Sequence, residues 1–229
     1  VLSMSRLLVS ALFRILKKIV LWLFMLCMFV YGMYSASNIA SEARAGYVLD
    51  GCLFEYLPLM GLVSAIFTSL FIGSEYSDGT LRNKLVVGHS RMWIYLANLI
   101  VCSIASILIS LAYTAGVFVI GNMKGGELAT ETGVIFLCMI GSLWVSVTYT
   151  SIMTLLAILN SNKASNVVVS MILALVLLIS GTFIHQRLGE PKVYDNYVSV
   201  NEMSIPTQIE QLPNPQYIDG RPRVILEIL

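Results

Sequence analysis

Five stretches of this chain contain no Asp, Glu, Lys or Arg: Ile19 to Ser41, Tyr56 to Ser74, Met92 to Met123, Thr132 to Asn162 and Ala164 to Gln186. They are 23, 19, 32, 31 and 23 residues long, so 128 of 229 residues carry no charge and the other 101 hold all 27 charged side chains. That remainder has the charge density of an ordinary soluble domain, roughly a quarter. The uncharged half cannot face water in a monomeric globule. With 57% apolar residues and a mean hydropathy of +0.82, a soluble enzyme is excluded, and so is a disordered or collagen-like chain.

A hydrocarbon core about 30 Å thick is crossed by about 20 helical residues. Only a helix or a closed barrel satisfies its backbone there, and a barrel strand alternates apolar with polar residues. The run Ile19-Val-Leu-Trp-Leu-Phe-Met-Leu-Cys-Met-Phe-Val30 does not alternate. The chain is therefore expected to be an all-α membrane protein with five transmembrane helices, at about 19–36, 54–73, 93–120, 134–159 and 166–185. With the amino end inside, the inner segments hold eight basic residues (Arg6, Arg14, Lys17, Lys18, Arg82, Lys84, Arg91, Lys163), against Arg44 and Lys124 in the short outer loops. That asymmetry predicts a cytoplasmic amino end and an extracellular segment 186–229. A cleaved signal peptide, with Lys17-Lys18 before the apolar run and Ser35-Ala36-Ser37 after it, is the alternative for the first span. The eighteen residues that precede the run are long for that role.

Residues 1–18 form a domain of their own kind. Ser3, Arg6, Ser10, Arg14 and Lys17 recur every three or four positions, with Leu8, Ala11, Leu12, Ile15 and Leu16 on much of the remaining surface. This periodicity predicts an amphipathic helix lying in the inner headgroup layer. The inner loop 74–91 is too long for a bare connector. Asp78 or Thr80 can cap a short helix in it, Leu81 and Leu85 share a face, and Gly88 can end it. Ser103, Ser106, Ser110 and Thr114 share a face of the third span, and Ser142, Ser146, Thr150 and Thr154 advance by fours along the fourth. Such hydroxyl stripes let helices pack closely; the alternative is a polar lining for a substrate path. The segment after Gln186 holds Pro191, Pro206, Pro213, Pro215 and Pro222, with an apolar patch from Val198 to Ile205 that suggests partial order. Its last residues, Val224 to Leu229, turn apolar again.

Catalytic patterns are absent. Glu55 and Glu75 bracket the second span within expected reach of interface water, and the two histidines, His89 and His185, are far apart in sequence. No zinc-ligand cluster, His-Glu-x-x-His pattern or phosphate-binding Gly-x-x-x-x-Gly-Lys loop occurs. Cys27, Cys52, Cys102 and Cys138 show no disulfide or metal spacing, and a net charge of +1 offers no nucleic-acid footprint. The chain is thus expected to be a non-enzyme whose energy comes from a partner or a gradient, with proton coupling the weaker choice for want of titratable groups inside the spans.

The stretch Phe71-Ile-Gly-Ser-Glu-Tyr-Ser-Asp-Gly-Thr-Leu-Arg-Asn-Lys-Leu85, followed by Gly88-His-Ser-Arg91 and Ile94-Tyr-Leu-Ala-Asn98, is similar to the inner-loop signature of type-2 permeases of bacterial ATP-binding-cassette (ABC) transporters. The amphipathic first helix, the order of the five spans and the segment after the fifth agree with that resemblance. It implies that residues 1–18 are a connecting helix and that loop 74–91 is a coupling helix seated on a separate ATPase subunit. Glu75, Tyr76, Gly79, Thr80, Leu81, Arg82 and Lys84 would form or border that contact. It further implies a plasma-membrane exporter of hydrophobic drugs, antimicrobial peptides or lipids, built from two permease units, with ATP and Mg held by the ATPase and none in this chain. The family's sixth span is not reached before Leu229. A non-transporting sensor, assembly factor or immunity protein is the reading from another class.

Overall fold

The computed structural model describes residues 2–42, 49–88, 90–160, 162–189, 193–198 and 208–214. Arg44, His89, Pro191, Pro206, Pro215, Pro222, the patch from 199 to 205 and the run Val224 to Leu229 lie outside the described residues, as do the side chains of Ser3, Arg6 and Lys163. Two compact units divide the chain, residues 1–176 and 177–229.

The first unit is a helical bundle. It comprises α1 (Leu2–Lys17), α2 (Ile19–Glu42), α3 (Asp50–Leu53), α4 (Leu57–Ser77), α5 (Thr80–Val86), α6 (Arg91–Lys124), α7 (Thr132–Leu159) and the first part of α8 (Lys163–Gly189). Five helical segments of the chain are long and apolar enough to cross a membrane: Ile19–Ser41, Asp50–Ser77, Arg91–Lys124, Thr132–Leu159 and Ala164–Gly189. Each expected span falls inside one of them. The helices overrun the spans because polar residues at a membrane boundary propagate a helix as readily as apolar ones once its first turn is made. The second span is interrupted at Phe54–Tyr56, and α4 restarts with a proline in its first turn, where the missing N–H is not needed. Ser90 caps α6 by accepting a bond from Trp93 N, and Gly125 ends it in the left-handed region at φ +69.

The most extensive contact joins α2 to α6; α4 and α6 both pack on α7, and α1 lies against α6. Backbones of α2 and α6 approach so closely that a Cβ at Gly32 would fall on the carbonyl oxygen of Tyr113, and one at Gly116 on that of Phe29. Small residues allow such contact where lipid supplies no hydrophobic drive between helices. The core runs along this seam, from Ala11 and Ile15 through Leu21, Ile109 and Val117 to Leu49 and Tyr56. At the end of the bundle away from α5, Tyr113 stacks obliquely on Tyr56 at 4.9 Å and donates to the Cys52 carbonyl, and Ser35 hydrogen-bonds Glu55.

The second unit holds the rest of α8 and an antiparallel ribbon of β1 (Val193–Val198) and β2 (Gln208–Pro213), paired from Val193 with Pro213 to Val198 with Gln208. The chain remains an α-helical membrane protein, with this ribbon as the partial order expected after residue 186. Its strands flank the apolar patch rather than coincide with it, apart from Val198.

Candidate functional site

The basic end of the bundle is organised around one carboxylate. Glu75 lies in the last turn of α4, and the left-handed turn at Gly79 (φ +66) then folds α5 back beneath it. No side chain caps α5: Gly79 occupies the cap position, Asp78 closes α4, and the Thr80 hydroxyl instead donates to the Glu75 carbonyl at 3.1 Å. Neither capping residue expected from the sequence does that work, because the reversal needs a positive φ that glycine adopts freely. Gly88, at φ +94, does stand beyond the end of α5.

Glu75 is 1% exposed, which corrects the expectation that it reaches interface water. Arg14 Nη1 from α1 lies 3.0 Å from Oε1; Lys84 Nζ from α5 lies 3.2 and 3.1 Å from the two oxygens; Asn98 Nδ2 from α6 donates to Oε2 at 3.0 Å. Arg14 also donates to the Thr80 hydroxyl at 3.3 Å. One buried carboxylate thus ties four helices together. An unpaired charge at such a depth would cost several kcal/mol, so two cations and an amide make burial tolerable. Burial pushes the Lys84 ammonium below the usual lysine range, opposed by the charge of and hydrogen bond to Glu75 and assisted by the nearby Arg14.

Two neighbours extend the clasp. Lys18 hydrogen-bonds Ser74 and stands 5.2 Å from the Phe71 ring centroid, and Tyr76 donates to the Ile158 carbonyl at 2.6 Å, holding the end of α7. The α1 helix is consequently not a free amphipathic rod. Ala11 and Ile15 are buried on the bundle, Arg14 turns inward, and a second apolar row of Val9, Phe13 and Leu16 stays exposed.

Of the seven residues expected at a partner contact, Glu75, Tyr76, Gly79, Thr80, Leu81 and Lys84 are buried or half-buried, and Arg82 is exposed. The outward surface of this turn is Arg82, Asn83, Val86 and Val87, the valines 79% and 76% exposed. Sequence reasoning passed over these valines; two consecutive β-branched apolar residues in a polar loop were the available signal. It also passed over Arg14 and Asn98 as partners of Glu75, since nothing local links them.

The hydroxyl stripes are brought together across the bundle interior. Ser110 donates to Ser146 at 3.1 Å, and Tyr56 donates to Ser142 at 3.0 Å. Ser106 bonds back to Ser103, Thr114 to Ser110, Ser146 to Ser142 and Thr150 to Ser146 along their own helices. Ser106, Ser110, Thr114, Ser142, Ser146, Thr150 and Thr154 are buried within this one chain, and Ser103 is half-buried. Among the described residues no group of three His, Cys, Asp or Glu side chains is placed to hold a metal.

Among the described residues, five helices able to span a bilayer, with a clasped helical turn at their basic end, define a multi-pass membrane protein. The family model for ABC-2 family transporter proteins matches residues 10–181, and the chain belongs to that family: it is a permease component of an ABC transporter, not the ATPase. Family membership implies association with a separate ABC ATPase subunit. No curated protein and no solved structure matches the chain.

Proposed function

We propose that this permease is the membrane-spanning subunit of an ABC exporter for a hydrophobic or amphipathic cargo, such as a drug, an antimicrobial peptide or a lipid. ATP and Mg are held and hydrolysed in the partner ATPase, and a second permease unit completes the pathway in the plasma membrane. Residues 1–18 serve as connecting helix, 19–185 as the transmembrane domain and 186–229 as the extracellular segment. The basic end, with Arg14, Lys17, Lys18, Arg82, Lys84 and Arg91, faces the cytoplasm by the positive-inside rule.

The observation that carries this reading is the Glu75 clasp. A push on the exposed face of α5 at Arg82, Val86 and Val87 is passed through Lys84 and Glu75 to α1, α4 and α6 together rather than absorbed in a loose loop. Switching between inward- and outward-facing states requires a ligand that binds the two differently. With no charged side chain inside the five uncharged stretches, that ligand is the nucleotide-loaded ATPase.

Co-expression with an ABC ATPase subunit tests the reading. The wild type is expected to co-purify with it and to support ATP-dependent efflux of hydrophobic dyes from vesicles. Arg82→Glu and Val86→Asp, both on the exposed face, are expected to weaken co-purification while membrane insertion persists. Unchanged association would remove α5 from the contact, and cargo flux without any ATPase would overturn the proposal.

A further inference from the structure

A second feature lies beside the clasp and shares Tyr76 and Ile158 with its outer edge. A groove of about 390 Å³, within the roughly 300–1,000 Å³ range of ligand sites, is walled by Leu81 and Leu85 of α5, Ile94 of α6, and Ile158 and Leu159 at the end of α7. Arg91, at the first position of α6, stands on its rim. Arg14 and Lys84 are engaged by Glu75 and Lys18 by Ser74, and Arg82 points outward from α5, so Arg91 is the cation that lines the groove. Arg91 is exposed, and among the described residues no ion pair or side-chain hydrogen bond holds it.

The surroundings of the groove are those of a membrane boundary. Three of its walls are ends of membrane-spanning helices (Tyr76 of α4, Ile94 of α6, and Ile158 and Leu159 of α7), and Leu85, Leu159, Met92 and Trp93 are 42%, 72%, 69% and 46% exposed. Tryptophan at this level is a usual headgroup-depth anchor. An acyl chain can therefore enter the groove sideways from the bilayer without crossing water. A phosphate at the same depth meets Arg91, the one guanidinium on the rim.

We propose that the groove binds an anionic phospholipid, with one acyl chain between α5, α6 and α7 and the phosphate on Arg91. Basic pockets between transmembrane helices are suited to lipid headgroups. The bound lipid touches α5 through Leu81 and Leu85, so it braces the same turn that the Glu75 clasp holds from the other side. Binding itself does not depend on the transport reading, and its readout is separate.

The full-length chain in nanodiscs containing phosphatidylglycerol with a photoactivatable acyl chain, or the matching phosphatidylcholine, provides the test. Labelling is expected on peptides covering residues 81–95 and 158–159, and more strongly from phosphatidylglycerol. Arg91→Gln is expected to lower phosphatidylglycerol labelling about fivefold, the scale of one basic residue at a charged surface, while Arg91→Lys retains it. Ile158→Trp fills the groove and is expected to abolish labelling by both lipids. Equal labelling by the two lipids, no effect of Arg91→Gln, labelling mapped elsewhere, or displacement of the lipid by the bound ATPase would each overturn the assignment.

Discussion

Arg14 Nη1 sits 3.0 Å from Glu75 Oε1, so the amino-terminal helix is fastened to the last turn of α4 rather than left to float in the headgroups. Because Glu75 is 1% exposed and Arg14 about a third exposed, the pair is asymmetric. Removing the carboxylate strands two cations, whereas removing Arg14 leaves Lys84 and Asn98 on Glu75. Glu75→Ala is accordingly expected to destabilise the protein by about 3–5 kcal/mol, the scale of a broken buried pair. Arg14→Ala should lose about 1 kcal/mol or less, as partly exposed pairs do. Thermal unfolding in detergent, with Glu75→Gln as a neutral isostere, reads the difference; equal losses for the two positions would contradict it.

The α2–α6 seam depends on two glycines. Alanine at Gly32 or Gly116 would set a methyl group against the backbone carbonyl of Tyr113 or Phe29, and a backbone cannot move aside as a flexible side chain can. Each substitution is expected to cost about 1–3 kcal/mol. Gly141→Ala in α7, where nothing lies within 4 Å, is the control and should be neutral or stabilising by about 0.4–1 kcal/mol. Melting temperatures of the three variants check the order.

Ser110 and Ser146 exchange a hydrogen bond across α6 and α7 at 3.1 Å. A double-mutant cycle with alanine is expected to give a coupling of about 0.6 kcal/mol, the average for such bonds in membrane bundles. Thiol labelling separates packing from a water-filled path. In a cysteine-free background, Ser146→Cys should resist a polar maleimide, and rapid modification would place water along the stripe.

Lys84 yields a prediction with a definite sign. Burial lowers its pKa, so between that lowered value and the ordinary lysine value the unfolded chain binds more protons than the folded one. Stability contributed by this residue therefore rises with pH through that alkaline window. Its penalty is full below the lowered pKa and gone above the unfolded one. Lys84→Met lacks the rise. Denaturation midpoints of wild type and variant from neutral to alkaline pH should converge or cross in the direction of wild-type gain, and a wild-type loss relative to the variant would reverse the assignment.

Much of the architecture was legible in one dimension. A stretch such as Met92 to Met123 has no alternative to a helix once it lies in lipid, because every amide must bond within its own segment. The short helix after Gly79 and its end at Gly88 were legible for a similarly local reason. The cap was not, since Asp78 and Thr80 are both good capping types and only the reversed path of the chain gave Thr80 a different acceptor, the carbonyl of Glu75. The hydroxyl stripes were visible as stripes, yet their facing one another within one chain rested on how α4 and α6 pack on α7.

Sequence by itself determined the class, the five spans and the unequal distribution of Lys and Arg, because each follows from the free energy of placing a side chain in hydrocarbon or water. Tertiary structure alone decided that Glu75 is buried, that Arg14, Lys84 and Asn98 converge on it, and that Arg91 stands on the rim of an apolar groove. Those facts depend on contacts between helices far apart along the chain, and in a bilayer such contacts are selected by close packing and polar pairing rather than by hydrophobicity, since lipid tails are as apolar as the side chains they meet.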